Sequence, residues 1–573
     1  MRRTLLFFVS LLILAPCSAL AQVSFISPLP GGILQVRGDH ADLRLRVLLP
    51  AGYQNFSFKL GSDRDTSSPL DGWSSVTITG GAVDTLLTVP KSLRNYSLYW
   101  RANSGGLDTG GIIAGLTPGH IIGIAGQSNA QGFCYEMIEP ANGDIRMLVS
   151  GSAWQPAHEP TGGVGGGPWI VMSNLLYQTL GDTLPVGIVN TAVGATGLSI
   201  ADAGGQWIRN AANPEDSSIY GNALRRFFAA GSEIECLCWI QGESDGHYLP
   251  DPKIYRTYFA QLIHDFESDL ADTFAVFHLQ ISGNSAPGAP IASFPEVREA
   301  ERVLPPSTLA GTGLGRSLEN YLHYNVPSLW SIGRMFGSAI LKERYGISMS
   351  MYPPLMPDTA ARLDSIMDGS IAGHYCFSLG WNRGGAPAKL SIVQPTQYFA
   401  IHKEGNEIDP GMVWYRIDPS DSSRVLIGLA NDSVSLGHDW RITYDATAAA
   451  DLAPLASIDP VSRDTIFATA FYELPVAMPS GPVMGVKEFS VNLLVPNPAL
   501  HTINCYVLAF KHETVSVELW DNRGIVLHRQ TNILDEGTQD VTIPTDGLPS
   551  GNYWIVLRGQ NGAGEVQKAV VIH

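Results

Sequence analysis

The sequence predicts a multidomain protein in which a central α/β domain with a parallel sheet is flanked by all-β sandwich domains. The chain has 573 residues, which at roughly 100–200 residues per domain gives several domains. Its 60 Gly and 37 Pro, with only 16% charged residues, are typical of turn-rich β architecture. Between residues 116 and 350, short apolar runs alternate with helical stretches, which indicates parallel strands covered on both faces.

The chain begins with a predicted signal peptide over residues 1–21. Arg2 and Arg3 precede an apolar run at 5–14 that is too short to span a bilayer, and Ala19-Leu20-Ala21 gives a small-x-small cleavage site. No later run reaches the ~18–20 apolar residues of a membrane helix. We therefore expect a secreted or cell-surface protein without a transmembrane segment.

Periodicity assigns the elements that follow. Residues 22–115 alternate apolar and polar positions, as in 42–48, which predicts an N-terminal β-sandwich. The α/β domain, 116–350, has strand candidates at 121–125, 185–189, 235–240 and 274–281 and helix candidates at 253–270 and 329–345. Proline-rich linkers separate a β-rich domain, 359–474, and a terminal β-sandwich, 484–573.

Composition excludes several classes of function. The net charge of -17 argues against a nucleic-acid or anionic-membrane binder, which needs a basic face. Six Cys over this length exclude a disulfide scaffold, and buried thiols are the expected state of Cys236 and Cys238. No metal-ligand motif is found, and the sequence implies no cofactor.

Two strands run into polar turns that could carry chemistry. The strand at 121–125 leads into Gly126-Gln127-Ser128-Asn129, and the strand at 236–240 leads into Gln241-Gly242-Glu243-Ser244-Asp245. Parallel sheets bind ligands at the carboxyl ends of their strands. Ser128 could be a nucleophile or only the N-cap of a βα turn, and the second turn could be only a polar cap.

His323 is a candidate general base, because an imidazole titrates near neutral pH. It follows the last strand-like segment of the α/β region and precedes its last helix.

These segments together resemble the SGNH-type hydrolases, in particular their branch of sialate O-acetylesterase-like and acetylxylan-esterase-like carbohydrate esterases. The nucleophile block contains Ser128, Thr191-Ala192-Val193-Gly194 matches the glycine block, and residues 239–245 match the Trp-x-Gln-Gly-Glu-x-Asp block. His323 matches the histidine block. The resemblance implies an SGNH/flavodoxin-like three-layer sandwich over about 230 residues.

The resemblance also implies roles for these residues. Ser128 would attack an acetyl carbonyl and His323 would take its proton. The N–H groups of Ser128 and Gly194 would bind the oxyanion, with Gln241 as a side-chain donor. Gln127, Asn129 and Trp154 are expected to contact the substrate.

One position departs from the family pattern. Asn320 stands three residues before the histidine, where the family usually has Asp. Asn can fix an imidazole tautomer but cannot stabilise the imidazolium by charge. We expect Glu243 to supply the missing carboxylate, with Asn320 or Glu319 as the alternative orienting residue.

A competing motif gives a different nucleophile. Residues 242–246 spell G-x-S-x-G, the nucleophile elbow of α/β-hydrolases, which would make Ser244 the attacking residue. That elbow opens directly into a helix, whereas a proline-containing stretch follows here. We therefore favour Ser128.

The C-terminal segment resembles the sorting domain of type IX secretion in Bacteroidetes-like bacteria. The resemblance is carried by Val495-Pro496-Asn497-Pro498, by residues 519–524 and by Leu548-Pro549-Ser550-Gly551-Asn552-Tyr553. It implies the type IX machinery as a partner. The alternative is a terminal β-sandwich that binds carbohydrate or only folds.

The sequence thus predicts a secreted carbohydrate esterase that removes O-acetyl groups from a glycan through an acyl-serine intermediate. The alternative is a glycan-binding or surface protein that retains this fold with a weakened site, as the Asn at 320 suggests. The sugar is not identified, although the negative charge favours a neutral acetylated glycan over a polyanion.

Overall fold

The computed structural model describes residues 22–571 apart from short internal stretches. Those stretches are 63–71, 92–94, 106–107, 150–152, 164, 182–183, 248–250, 284–293, 368–373, 393–398, 404–405, 410–412, 430–439, 445–454, 459–461, 463, 478–488, 496–498, 500, 510–511, 522–525, 536 and 560–563. The predicted signal peptide lies outside the described residues. The protein is strand-rich and multidomain.

The N-terminal part is built from mainly antiparallel strands around one apolar core. Its strands are β1 (Ser24–Ser27), β2 (Ile33–Arg37), β3 (His40–Leu48), β4 (Asn55–Ser62), β5 (Ser74–Val76), β6 (Ala82–Pro90), β7 (Tyr96–Asn103) and β8 (Asp108–Gly126). The alternation that predicted β3 is borne out, because Leu43, Leu45 and Val47 are fully buried.

Strand β8 joins the N-terminal strands to the central sheet. Its first half pairs antiparallel with β7, and its second half runs parallel to two strands of the central sheet. Gly115, at φ +75°, adopts a backbone conformation that favours glycine where one half passes into the other. The domain boundary predicted at 115/116 therefore falls inside one continuous strand.

The central domain adds strands and helices in alternation after β8. Its strands are β9 (Ile145–Val149), β10 (Ala153–Pro156), β11 (Val186–Asn190), β12 (Thr196–Gly197), β13 (Gly205–Gln206), β14 (Cys236–Ile240), β15 (Ala275–Gln280) and β16 (Thr308–Thr312). Its α-helices are α1 (Ser128–Gln131), α2 (Trp169–Thr179), α3 (Ile219–Ala230), α4 (Pro252–Leu270), α5 (Phe294–Arg302) and α6 (Val326–Tyr345), with a 3₁₀ turn at Asp245–His247.

The central sheet is parallel except at one edge. Its order is β10-β9-β11-β8-β14-β15-β16, and only β10 runs antiparallel to its neighbour. Alternate residues of β8 enter different cores: Ile121 packs with α3 and α4, whereas Ile122 packs with α2 and α6. Strand β8 lies between β11 and β14. The strands that follow β8 in the chain, β9 to β11, lie on one side of it, and β14 to β16 lie on the other, so the ends of β8 and β14 form a topological switch point.

Local sequence fixes the helix that follows the histidine block. Asn325 accepts a hydrogen bond from the Ser328 N–H as N-cap, and Pro327 stands in the first turn. Gly346 ends α6 in the left-handed region at φ +72°. The predicted helix at 329–345 thus begins three residues earlier, at Val326.

The C-terminal region consists of two all-β parts. The first contains β17 (Met356–Met367), β18 (His374–Arg383), β19 (Ala386–Pro387), β20 (Ser391–Ile392), β21 (Phe399–Lys403), β22 (Asn406–Glu407), β23 (Val413–Ile417), β24 (Arg424–Leu429), β25 (Trp440–Tyr444), β26 (Leu455–Ile458), β27 (Thr465–Phe467) and β28 (Phe471–Ala477). The second contains β29 (Phe489–Val495), β30 (Thr502–Ala509), β31 (Glu513–Trp520), β32 (Val526–Leu534), β33 (Gly537–Pro544), β34 (Gly551–Gly559) and β35 (Gly564–Val571). Each part has its own core, around Trp381 and Val517 respectively.

The first of these β-domains is hydrogen-bonded to the central sheet. Gln280, fully buried at the end of β15, donates to the Ala470 carbonyl and accepts from the Ala470 N–H, both at 2.9 Å. Arg334 of α6 pairs with Asp464. The linker at 353–357 therefore joins two units in direct contact.

Two further expectations can be compared with the structure. The cysteines whose side chains are described, at 134, 236, 238 and 505, are free and buried, as expected for Cys236 and Cys238. In the described part of the chain, no helix has both the length and the apolar character needed to cross a membrane.

Candidate active site

The site lies where the central strands β8 and β14 end. Gly126 closes β8 at φ +128°, and a Cβ there would lie 2.0 Å from the Ile240 carbonyl oxygen of β14. Only glycine fits this approach. The next residue, Gln127, donates its N–H to the same carbonyl at 2.9 Å, and α1 begins at Ser128. Ser128 thus follows directly after the sheet's middle strand.

Ser128 and His323 are in hydrogen-bond contact across 195 residues of chain. The distance between Ser128 Oγ and His323 Nε2 is 2.9 Å. Ser128 is 6% exposed, and His323 is half-buried beneath Phe133, whose ring stacks on the imidazole at 4.2 Å between centroids. This distance is the one that a nucleophilic serine and its general base require.

The third group at the imidazole is Asn320. Its amide lies against His323 Nδ1, with Oδ1 at 3.1 Å and Nδ2 at 3.0 Å. Oδ1 also accepts the N–H groups of Leu322 and His323, at 3.0 and 2.9 Å, which fixes the amide in the loop. If Nδ1–H is donated to Oδ1, the Nε2 lone pair is left facing the serine hydroxyl, as a general base requires.

Burial lowers the pKa of His323, and the neighbouring charge of Glu319 acts in the opposite direction. The net direction keeps the imidazole neutral at neutral pH, the state that accepts a proton. Glu319 does not hydrogen-bond the ring. Its carboxylate accepts the Tyr135 N–H at 3.2 Å and so links the loop after α1 to the histidine loop.

Glu243 is not placed as expected. Its Oε1 accepts a hydrogen bond from Asn129 Nδ2 at 2.6 Å, and its buried Oε2 has no hydrogen-bond partner among the described residues. The expectation that Glu243 orients the imidazole directly therefore finds no contact here, and the alternative, Asn320, occupies that position. The reason is local: the loop turns back between residues 320 and 323, so the Asn320 side chain lies beside the His323 ring.

The predicted oxyanion donors differ in their surroundings. Ser128 N–H is the first N–H group of α1, so it has no carbonyl partner within the helix. Gly194 adjoins the serine, and its N–H donates to Gln131 Oε1 at 2.8 Å. Gln241 is turned away from the site: its Nε2 donates to Asp245 Oδ2 at 2.7 Å, and Tyr255 OH donates to its Oε1 at 2.8 Å.

Of the expected substrate contacts, Trp154 lies elsewhere. It is 7% exposed and packs in the core beside Gly187 and Gly31, because the N-terminal domain covers it. Gln127 and Asn129 adjoin the nucleophile but are each 2% exposed. Gln127 Oε1 faces the N–H groups of the turn after β14 instead, with Ser244 N at 3.2 Å.

The competing nucleophile, Ser244, is 3% exposed and precedes a 3₁₀ turn rather than an α-helix. Its neighbour Asp245 accepts the N–H groups of Leu198 and Ser199, each at 2.8 Å, and so anchors the loop that carries Gly194. Sequence reasoning missed this role of Asp245. The only hint was a carboxylate inside the resembled block.

Aromatic side chains in the two loops beside the pair were also missed. Tyr135 and Tyr321 are 79% and 57% exposed, and they lie in the two loops that Glu319 links. Phe133 of the first loop covers the imidazole. The contacts between the two loops are tertiary, although aromatics within a few residues of both motifs were a usable hint.

Comparison with known proteins matches two regions of the chain to families. Residues 118–342 match the family described as carbohydrate esterase, sialic acid-specific acetylesterase, and residues 494–573 match the secretion system C-terminal sorting domain. A probable carbohydrate esterase of Arabidopsis thaliana is 28% identical over 192 residues, which cover 29% of this chain and 69% of that protein.

A solved structure is similar over a longer span. The crystal structure of a carbohydrate acetylesterase from Xanthomonas citri covers 77% of this chain and 97% of its own, with a TM-score of 0.56 and 17% identity. At that identity the likeness concerns the fold. The sorting domain marks the protein for export to the cell surface or for secretion. The chain therefore carries a domain of the sialic acid-specific acetylesterase family of carbohydrate esterases, followed by a type IX secretion sorting domain.

Proposed function

We propose that this protein is a serine esterase that removes O-acetyl groups from a glycan through an acetyl-Ser128 intermediate. The observation that carries the proposal is the 2.9 Å contact between Ser128 Oγ and His323 Nε2 at the end of the middle strand. The family match over residues 118–342 supports ester hydrolysis on a carbohydrate. The parallel sheet, with helices on both faces, supports assignment of the domain to the SGNH-type hydrolases.

The reaction has two halves. In the first, Ser128 Oγ attacks the acetyl carbonyl while its proton passes to His323 Nε2. The tetrahedral intermediate collapses, the sugar oxygen leaves with that proton, and the acetyl group stays on the serine. In the second, water attacks the acetyl-serine with His323 again as base, and acetate leaves as the serine regains its proton.

Backbone N–H groups stabilise the negative oxygen of each tetrahedral intermediate. Ser128 N–H lies in the first turn of α1 and needs no rearrangement. Gly194 N–H can take part only when Gln131 Oε1, now 2.8 Å away, gives up its hydrogen bond. Substrate binding would then displace the Gln131 side chain.

The sugar is bound by an aromatic rim that consists of Tyr135 and Tyr321. Their rings are exposed in the two loops that the Glu319 carboxylate links. Aromatic faces provide a large apolar surface with a polar tip, which suits a pyranose ring. Glu319 at the same rim disfavours an anionic sugar, so the proposed substrate is a neutral acetylated glycan.

A glycan-binding protein with a weakened site is the second candidate, and the Asn at position 320 is the observation that favours it. An imidazole paired with an amide lacks the charge that stabilises imidazolium in a Ser-His-Asp site. This candidate predicts glycan binding without acetate release.

Acetate release from a panel of acetylated glycans, measured with the mature chain, separates the two candidates. The panel contains acetylated xylan, O-acetyl sialic acid and a small aryl acetate, and Ser128→Ala and Ser244→Ala serve as matched variants. We expect release by the parent and by Ser244→Ala, and none above background by Ser128→Ala. Full activity in Ser128→Ala would exclude the proposed nucleophile.

A further inference from the structure

The Asn129 side chain connects the nucleophile's turn to both sides of the catalytic histidine. Its Oδ1 accepts the Tyr324 N–H at 3.3 Å, and its Nδ2 donates to the Leu322 carbonyl at 3.3 Å. These two residues flank His323 in the chain. Since Asn129 directly follows Ser128, one amide joins the backbone next to the nucleophile to the backbone next to the base.

Glu243 completes this arrangement from the neighbouring strand end. Its Oε1 accepts the other hydrogen of Asn129 Nδ2 at 2.6 Å. A primary amide carries two hydrogens and one acceptor oxygen, so both acceptors and the one donor around Asn129 fit a single orientation of its side chain. Asn129 and Glu243 are each 2% exposed, which excludes competition from bulk water.

The charge of Glu243 is not used in a contact with the imidazole. Its Oε2 has no hydrogen-bond partner among the described residues. Burial raises the pKa of the Glu243 carboxyl, with the hydrogen bond from Asn129 acting against it. What the site takes from Glu243 is an acceptor oxygen that orients the Asn129 amide.

We infer that Asn129 and Glu243 form a clamp that sets the distance between Ser128 and His323, with Glu243 acting as a positioning residue rather than as the third catalytic carboxylate. This inference rests on the proposed function. Asn320 fixes the histidine loop from within, through the N–H groups of residues 322 and 323. The clamp fixes the same loop against the turn that carries the nucleophile.

The decisive variant is Glu243→Gln, because it removes the charge and keeps an acceptor oxygen of the same shape. For the clamp, we expect kcat to fall by about tenfold or less, since a neutral acceptor makes a weaker hydrogen bond than a carboxylate. For a direct catalytic acid, loss of the charge would lower kcat by about 10⁴, as in a serine protease triad.

Two truncations test the other half of the inference. Glu243→Ala and Asn129→Ala should each lower kcat on an aryl acetate by about a hundredfold, the effect of a misplaced catalytic group, with KM and the pH of half-maximal kcat/KM unchanged. The double variant should be no worse than either single variant, because both remove the same clamp. Glu301→Gln is the matched control: it makes the same change in a nearby buried carboxyl that accepts the Ile281 N–H instead.

Three results would overturn the inference: a loss of about 10⁴ in Glu243→Gln, a fully additive double variant, or an unchanged kcat in Asn129→Ala. Glu243→Gln is isosteric, so it decides between charge and position even if an alanine variant fails to fold. Ser128→Ala is measured beside it. Turnover that survives in Ser128→Ala refutes the proposed function. If turnover is lost in Ser128→Ala and the Glu243 and Asn129 variants give one of these three results, only the clamp is refuted.

Discussion

Replacing Asn320 by Asp should strengthen the catalytic base. The Asn320 Oδ1 lies 3.1 Å from His323 Nδ1 and accepts two loop N–H groups, all of which a carboxylate can maintain. Opposite unit charges 4 Å apart attract by about 4 kcal/mol at an effective dielectric constant near 20. Because His323 and Asn320 are only half-buried, solvent screening reduces this value, and we take about half of it, ~2 kcal/mol.

This stabilisation acts on the imidazolium, and therefore on both the pKa of the base and the transition state. A carboxylate raises the pKa of His323, so the acidic limb of the kcat/KM profile should move to higher pH. Above that limb, kcat/KM should rise by about tenfold, which corresponds to ~1.4 kcal/mol of barrier. Below it, Asn320→Asp should be the slower enzyme, because more of its histidine is protonated.

The assay is the pH dependence of kcat/KM on a small aryl acetate, with Asn325→Asp as the matched control. Asn325 lies in the same loop but caps α6 through the Ser328 N–H, so Asp there adds the same charge at an N-cap position that tolerates it. An unmoved acidic limb and an unchanged plateau in Asn320→Asp would refute the reasoning, since Asn320 would then not contact the imidazole in solution.

Three more substitutions test the pKa of the base, the sugar contact and the contact between two domains. Glu319→Gln should move the acidic limb of the pH profile to lower pH, because the charge of Glu319 raises the pKa of His323; a shift to higher pH would contradict this. Tyr321→Ala should raise KM for an acetylated oligosaccharide and leave kcat/KM for an aryl acetate unchanged, and equal effects on both substrates would argue against a sugar contact. Gln280→Ala should lower the free energy of unfolding by about 3 kcal/mol in denaturant melts, because it leaves buried partners such as the Ala470 N–H unsatisfied. A loss below about 1 kcal/mol would mean that the two domains are not joined through this side chain.

The strand ends of the site could be predicted because their signals are local. Two continuous apolar runs, each followed by a Gly-containing polar turn, predict parallel strands that deliver Ser128 and Glu243 to one edge of a sheet. The pairing of Ser128 with His323 followed from the resemblance and from the order of the blocks. The helix at 252–270 was equally readable, since its apolar residues recur at helical spacing.

The partners of the polar side chains could not be predicted in this way. Gln241 was predicted to be an oxyanion donor, but its Nε2 donates to Asp245, and its Oε1 accepts a hydrogen bond from Tyr255 of the following helix. Glu243 was predicted to be the missing acid, yet its carboxylate accepts a hydrogen bond from Asn129, and Asn320 lies beside the imidazole ring. Which partner a polar side chain binds depends on differences in position no larger than a hydrogen bond, between segments that are far apart in the chain.

Trp154 shows the same limit for packing. Its position in a glycine-rich loop of the catalytic region suggested a sugar contact. Its ring instead lies against Gly187 of β11, and Gly31 of the N-terminal domain contacts its backbone. The sequence pattern of one domain does not show which residues another domain covers, so a tryptophan that was predicted in a loop lies in strand β10 and is buried.

Transfer of the acetyl group through Ser128 can be observed by quenching the protein during turnover of an acetyl ester. Peptide mass spectrometry then locates the acetyl group. We expect one acetyl group on the peptide that contains Ser128, and none on that peptide in Ser128→Ala. An acetyl group on Ser244, or acetate release that survives in Ser128→Ala, would contradict transfer through Ser128.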